Sequence, residues 1–172
     1  MRLYHFTSTW HIPAIIETGI SQGEVPLRKA DHGIKGVWLT TNNDNSKQDW
    51  IAGCSLDKAE IRISLTIDDA APLLFKWDIF SKLVNIKKAS LRSFNSYGDG
   101  AKHWWVYLGE LPTKTFDLVE IYNNGKWSIL PTHDLKNEYD YEYAESHTWH
   151  YNLMPVPAII QNIISYRSGL SA

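Results

Sequence analysis

The run Tyr4-His5-Phe6-Thr7-Ser8 sets an imidazole and two hydroxyls within a short apolar-aromatic stretch. As a buried strand it would deliver His5, Thr7 and Ser8 to a cleft, the imidazole able to titrate near neutral pH and the hydroxyls able both to donate and to accept hydrogen bonds. A second set follows in Gly36-Val37-Trp38-Leu39-Thr40-Thr41, an aromatic ring and then two more hydroxyls. A third is Lys102-His103-Trp104-Trp105-Val106-Tyr107-Leu108, entered from a polar loop that carries Tyr97 and Asp99 and left through Gly109-Glu110. Arg62, on the wet face of an alternating strand, has the chemistry to meet a phosphate, as do the loop residues Arg28, Lys29 and Arg92. His147 and His150 are spaced to share a helix face with Glu142 or Glu145, but the pair lacks a distinctive metal motif and no metal is assigned.

The elements that must position these groups can be read in order. Leu3 to Phe6 is a strand. Ser8 or Thr9 caps a short helix that holds Pro13, turns Ile12, Ile15 and Ile16 inward and stops at Gly19. Residues Ser21 to Ile34 have the composition of a loop. Gly36 to Thr41 is a second strand, and a polar residue among Asn42 to Asn45 caps a helix to about Ile51. Glu60 to Ile67 alternates Ile61, Ile63, Leu65 and Ile67 with polar residues, the pattern of a strand with one face in the core. Asp68 or Asp69 with Pro72 opens a helix whose Leu73, Leu74, Trp77 and Phe80 repeat at helical spacing, an aromatic stripe read as packing. Strands over 102–108, 116–122 and 126–130 follow, the last two joined by the hairpin signal Asn124-Gly125. An amphipathic helix from Pro155 to Gly169 closes the chain, with Ile159, Ile160, Ile163 and Ile164 facing inward. This order predicts an α+β domain spanning residues 1–172.

Composition narrows the function classes. A net charge of −2 gives no global field toward nucleic acid or anionic membrane. Eight Trp and nine Tyr are many for 172 residues, and such a surplus either fills a core or lines a site for planar ligands. Cys54 is the only cysteine, so an intramolecular disulfide and a cysteine metal cluster are excluded. Residues Met1 to Ile20 lack the pattern of a signal peptide, and no run of about 18 apolar residues occurs. A cytoplasmic protein with no membrane association is expected.

Taken together, the three sets resemble the motifs of the ADP-ribosyltransferase superfamily of the poly(ADP-ribose) polymerase and diphtheria-toxin type, with DNA-modifying toxins the nearest flavour. Tyr4 to Ser8 is similar to the family's first-strand motif, Lys35 to Thr41 with the polar stretch at Ser46 to its second, and Lys102 to Tyr122 to its third. The helix ending at Glu17-Thr18-Gly19-Ile20 also fits. The resemblance implies an ADP-ribosyltransferase-like split β-sheet core with flanking helices, NAD as substrate, and a macromolecular acceptor that is protein or nucleic acid. It implies that His5, Thr7 and Ser8 hold NAD, with His5 donating to the adenosine ribose, that Trp38 stacks on the nicotinamide, and that Thr40 or Thr41 bonds nearby polar atoms, while Arg62, by its place on the wet face, would meet a phosphate of the same cofactor. The chain departs from the family at His103, where the family carries its catalytic glutamate. Asp99 or Glu110 would supply the carboxylate if the register shifts; otherwise His103 serves a variant reaction, such as the removal of an RNA 2′-phosphate, or the protein binds NAD-like ligands without turning them over.

Overall fold

In the computed structural model the described residues are 1–27, 31–48, 56–86, 91, 100–131 and 152–169. The chain is α+β. Its main sheet has seven strands, every neighbouring pair antiparallel: β1 (Arg2–Thr7), β4 (Val37–Thr40), β5 (Ile61–Thr66), β6 (Leu74–Lys76), β7 (Trp104–Tyr107), β8 (Phe116–Asn123) and β9 (Lys126–Ile129). They lie in the order β6-β7-β4-β1-β5-β8-β9. A second, three-stranded sheet joins β10 (Asn152–Leu153), β3 (His32–Lys35) and β2 (Glu24–Pro26). The helices among the described residues are α1 (Ile12–Thr18), α2 (Trp77–Leu83) and α3 (Ala158–Arg167), with several 3-10 turns between elements.

The sheet separates two cores, because successive residues of a strand point to opposite faces. On one face Leu3, Val37, Leu39, Ile61, Ile63 and Leu65 pack under Ile12 and Ile15 of α1. On the other, Phe75, Trp104 and Val106 pack with Trp77 and Phe80 of α2, with Val25 and Ile34 of the small sheet, and with Ile160 of α3. The alternation over 60–67 is thus borne out, but its polar face is only partly wet: Ser64 is fully buried and Arg62 is half-buried. Burying one large aliphatic or aromatic side chain contributes about 1.5–3 kcal/mol, so these two layers are the main source of stability.

Three expectations are corrected. Residues 21–34 are not merely loop, since β2 and β3 form there and pair as a hairpin across Val25 and Ile34. The region after Asn42 holds only a 3-10 turn, Asn45–Lys47, among the described residues. The helix expected from Asp68 begins later, at Trp77, because Leu74 and Phe75 are drawn into β6 on the free edge of β7. In α3, Ile160 is buried and Ile163 and Ile164 are half-buried, while Ile159 is exposed.

Two glycine-dependent turns fix the frame. Gly19 ends α1 with φ 81°, and a side chain there would meet the Leu111 carbonyl oxygen at 2.4 Å. Asn124 and Gly125 both have positive φ, 51° and 79°, which gives the tight β8–β9 hairpin its twist.

Candidate functional site

β1 pairs with β5 along its whole length, from Arg2 opposite Thr66 to Thr7 opposite Ile61. With its other neighbour, β4, it pairs at one position only, Tyr4 opposite Thr40. Where the backbone pairing stops, a side chain takes over: His5 Nδ1 lies 2.9 Å from the carbonyl oxygen of Trp38. A carbonyl oxygen only accepts, so Nδ1 carries the hydrogen and Nε2 is left as an acceptor. Burial lowers the His5 pKa from 6.5 to about 4; the hydrogen bond to the Trp38 carbonyl opposes this, and the electrostatic effect of the neighbouring Lys58 and His11 adds to it. The ring is neutral at pH 7.

Beside this junction is a cavity of about 110 Å³, lined by Tyr4, Phe6, Trp38, Leu39, Thr40, Gln48 and Trp104. Its aromatic wall is held from outside. The Trp38 indole Nε1 donates to the Glu24 carbonyl at 2.8 Å, and the ring sits 4.7 Å from Trp77 and 5.7 Å from Trp104, centre to centre. Register explains why these rings converge: Tyr4 faces Thr40, Thr40 faces Trp104, and Trp38 faces Val106, so their side chains share one side of the sheet. His5 lies on the opposite side of β1 with Leu3 and Thr7, and it backs the cavity rather than lining it.

The hydroxyls expected to hold a ligand are otherwise engaged. Thr7 is buried, its Oγ1 3.3 Å from His11 Nδ1. Ser8 is buried and caps the turn into α1, its Oγ accepting from the Trp10 N–H at 3.4 Å and donating to Glu60 Oε2 at 3.1 Å. The same Glu60 oxygen accepts from the Thr9 N–H at 3.1 Å and from Thr9 Oγ1 at 2.9 Å. Thr7 and Ser8 therefore organise the start of α1, as the capping reading of Ser8 anticipated, and Glu60 is a partner that sequence reasoning missed.

Arg62 is also accounted for. Its Nε and Nη2 reach Glu120 Oε2 at 2.9 and 2.8 Å, its Nη1 donates to the Asn43 carbonyl at 2.7 Å, and its guanidinium lies over the Trp127 ring at 4.2 Å. Neither expectation, phosphate ligand or solvated charge, describes it. It ties the loop after β4 to the far side of the sheet.

His103 and Thr41 form a pair at the end of the β4–β7 ladder, one residue beyond Thr40 opposite Trp104. The Thr41 N–H donates to the His103 carbonyl at 3.0 Å, and Thr41 Oγ1 is 3.1 Å from His103 Nδ1. Thr41 is exposed and His103 half-buried. Thr40 lines the cavity, its Oγ1 accepting from the Asn42 N–H at 3.0 Å. Glu110 is exposed at the opposite end of β7, beyond Tyr107, where Leu111 pairs with Ile20. It is not among the residues brought to the cavity. Asp99, Tyr97, Arg28, Lys29, Arg92, His147 and His150 lie outside the described residues.

Tyr4, Phe6, Leu39, Trp104 and Gln48 complete the cavity without having been singled out for it. The alternation of β1 carries a signal for Tyr4 and Phe6, since residues flanking His5 must face the other side. Gln48 has no such signal.

Compared with protein-family models, with curated proteins and with solved structures, the chain matches none of them. Among the described residues, no helix is long and apolar enough to cross a membrane, and no group of three or more His, Cys, Asp or Glu is placed to hold a metal ion.

Proposed function

We propose that this chain has an ADP-ribosyltransferase-like fold and transfers ADP-ribose from NAD to a macromolecular acceptor, protein or nucleic acid. One observation carries the proposal. The three strands that bear the resemblance, β1, β4 and β7, are far apart in sequence yet consecutive in the sheet. β1 and β4 pair at one position only, beside the ring-lined cavity, and the proposal places the ligand along this short seam.

In this proposal the nicotinamide ring enters the cavity against Trp38, with Tyr4, Phe6 and Trp104 around it. An apolar cavity of about 150 Å³ takes a benzene molecule, so about 110 Å³ is room on the scale of one ring. The remainder of the dinucleotide lies outside it. His5 supports the site from behind: its Nδ1 hydrogen, committed to the Trp38 carbonyl, fixes the strand that carries the Trp38 ring.

The reaction breaks the bond from ribose C1′ to the nicotinamide nitrogen, leaves the electron pair on nicotinamide, and joins C1′ to an acceptor nucleophile that gives up a proton. Positive charge develops on the ribose, as in glycoside hydrolysis. His103, whose ring meets Thr41, carries an imidazole that can take the acceptor's proton but brings no negative charge. Positioning is then the chief contribution of the site.

A second reading, an NAD-binding module without turnover, is favoured by one feature: among the described residues, no carboxylate lines the cavity. For the removal of an RNA 2′-phosphate, one of the three arginines considered, Arg62, is held by Glu120, and Arg28 and Arg92 lie outside the described residues.

The test is incubation with labelled NAD, alone and with DNA, RNA or cell lysate, beside His103→Ala and Trp38→Ala variants. Release of nicotinamide with label moving to an acceptor, lost in Trp38→Ala, is expected. Label remaining on NAD in every mixture overturns the transferase proposal, and NAD binding without release establishes the module.

A further inference from the structure

We propose that Arg62 is a positioning residue for the ring cavity: by holding the Asn43 carbonyl it fixes the loop 42–48 and with it Gln48, so that the cavity admits a single flat ring and excludes a fused bicyclic one. Seven residues line the cavity, and six of them stand on strands of the main sheet, Tyr4 and Phe6 on β1, Trp38, Leu39 and Thr40 on β4, and Trp104 on β7. Strand pairing, the bond from His5 to the Trp38 carbonyl and the packing of Trp38 on Trp77 hold those six in place. Gln48 alone comes from a loop, so its wall sets the width.

The loop is braced as one body. Asn42 Oδ1 accepts from the Asp44 N–H at 3.0 Å, Asp44 Oδ1 accepts from the Ser46 N–H at 2.9 Å, and Gln48 Nε2 donates to the carbonyls of Asn42 and Asp44 at 3.3 and 3.0 Å. The carbonyl between those two, that of Asn43, accepts from Arg62 Nη1 at 2.7 Å. Beyond the loop's root at Thr40, the other side-chain bond that fastens it among the described residues is longer, from Asn45 Nδ2 to the Ala59 carbonyl at 3.4 Å. Arg62 is itself fixed: Nε and Nη2 meet Glu120 Oε2 at 2.9 and 2.8 Å, and the guanidinium lies 4.2 Å from the Trp127 ring centre and 5.6 Å from that of Tyr4, a cavity residue. The side chains of this ion pair are only 12% and 14% exposed, and burial of an ion pair is by itself a weak source of stability. What the guanidinium supplies is a rigid planar fork that spans two partners, which the point charge of a lysine does not. The size selection rests on the reading of the cavity as a ring site, whereas the hold on the loop does not.

The experiment measures binding of nicotinamide and of quinoline-3-carboxamide, the same ring with a second one fused to it, by ligand-observed NMR. It compares the wild type with Arg62→Lys, Glu120→Gln and the double variant Arg62→Met/Glu120→Met, and reads hydrogen exchange of the Asp44, Lys47 and Gln48 backbone amides without ligand. The wild type is expected to favour nicotinamide by about tenfold or more, the scale of forcing extra carbons into a filled apolar space. In Arg62→Lys and the double variant, both without the Asn43 bond, the preference is expected to fall to within about twofold and the loop amides to exchange about tenfold faster, the scale of one lost bond from a charged donor. Glu120→Gln leaves an acceptor for Arg62 and should keep the preference even where it lowers stability. A preference that survives in Arg62→Lys, equal binding of the two rings by the wild type, or a loss shared by Glu120→Gln overturns the proposal. If Arg62→Lys does not fold, the double variant decides, since it leaves no charge unpaired. If the wild type binds neither ring at millimolar concentration, the size selection falls with the ring reading of the cavity; faster loop exchange would then still uphold the hold of Arg62 on the loop, and unchanged exchange would overturn it.

Discussion

The imidazole of His5 and the carbonyl of Trp38, 2.9 Å apart, join β1 to β4 where their backbones no longer pair. The bond needs a hydrogen on Nδ1 but no positive charge, and burial holds the ring neutral down to about pH 4. Because the folded pKa lies below the unfolded value of 6.5, the unfolded chain binds more protons between about pH 4 and 6.5. Stability from this residue is therefore complete above that window and lost as pH falls through it, by about 3 kcal/mol at most. Urea unfolding from pH 4 to 7.5 should show the loss, and His5→Asn, whose amide can still donate to Trp38, should flatten it. An unchanged pH slope in the variant would count against a neutral His5.

Glu60 makes a different kind of junction. One of its oxygens accepts three hydrogen bonds from Ser8 and Thr9, joining the residue that precedes β5 to the entry of α1. Glu60→Gln keeps the shape and removes the charge, and hydrogen bonds to a charged acceptor are worth about 1.5–3 kcal/mol each at most, without simple additivity. A loss of about 1–3 kcal/mol in urea unfolding is expected, with Ser8→Ala costing less because Thr9 retains two of the bonds. Equal stability of Glu60→Gln and wild type would show the contact to be incidental.

What the sequence made legible was what neighbours in the chain decide. The strand at 61–66, the short helix ending at Gly19 and the Asn124-Gly125 hairpin are written in alternation and in residues that tolerate positive φ. The stretch from Leu73 to Phe80 also fits helical spacing, yet Leu74 packs in one core and Phe75 in the other, the signature of a strand. Only the open edge of β7, some thirty residues later, decides between them. The site divides in the same way. Trp38 and Thr40 stood out by type. The engagement of Ser8 by Glu60, of Arg62 by Glu120 and of Gln48 by its own loop depends on distant or unmarked partners, so no local pattern announced it.

Gly19 shows how tightly one local signal can be locked by tertiary packing. Beyond its φ of 81°, the adjacent Ile20 exchanges backbone hydrogen bonds with Leu111 at 2.9 and 3.1 Å, leaving 2.4 Å from an added Cβ to the Leu111 oxygen. Gly19→Ala should cost about 2 kcal/mol or more, from backbone strain and from displacement of the 111–112 segment. A lowered denaturation midpoint with unchanged far-ultraviolet circular dichroism is expected. A midpoint within experimental error of wild type would mean that the two segments separate at little cost.

His103 is where binding and catalysis can be told apart. Its ring meets Thr41 at 3.1 Å, one residue from the cavity wall at Trp104, and it offers no anion to a ribosyl cation forming beside Trp38. A carboxylate about 4 Å from a positive charge contributes on the order of 4 kcal/mol at an effective dielectric of about 20, and partial exposure reduces this. His103→Glu should therefore release nicotinamide from NAD about tenfold to a hundredfold faster at pH 7, whereas the neutral His103→Gln should not exceed wild type. The gain should fade as pH drops through the carboxylate range, since the protonated acid brings no charge. Chromatographic assay of free nicotinamide against pH measures both effects. A folded His103→Glu no faster than wild type would place the reacting ribose away from this strand, and with it the transferase assignment of β7.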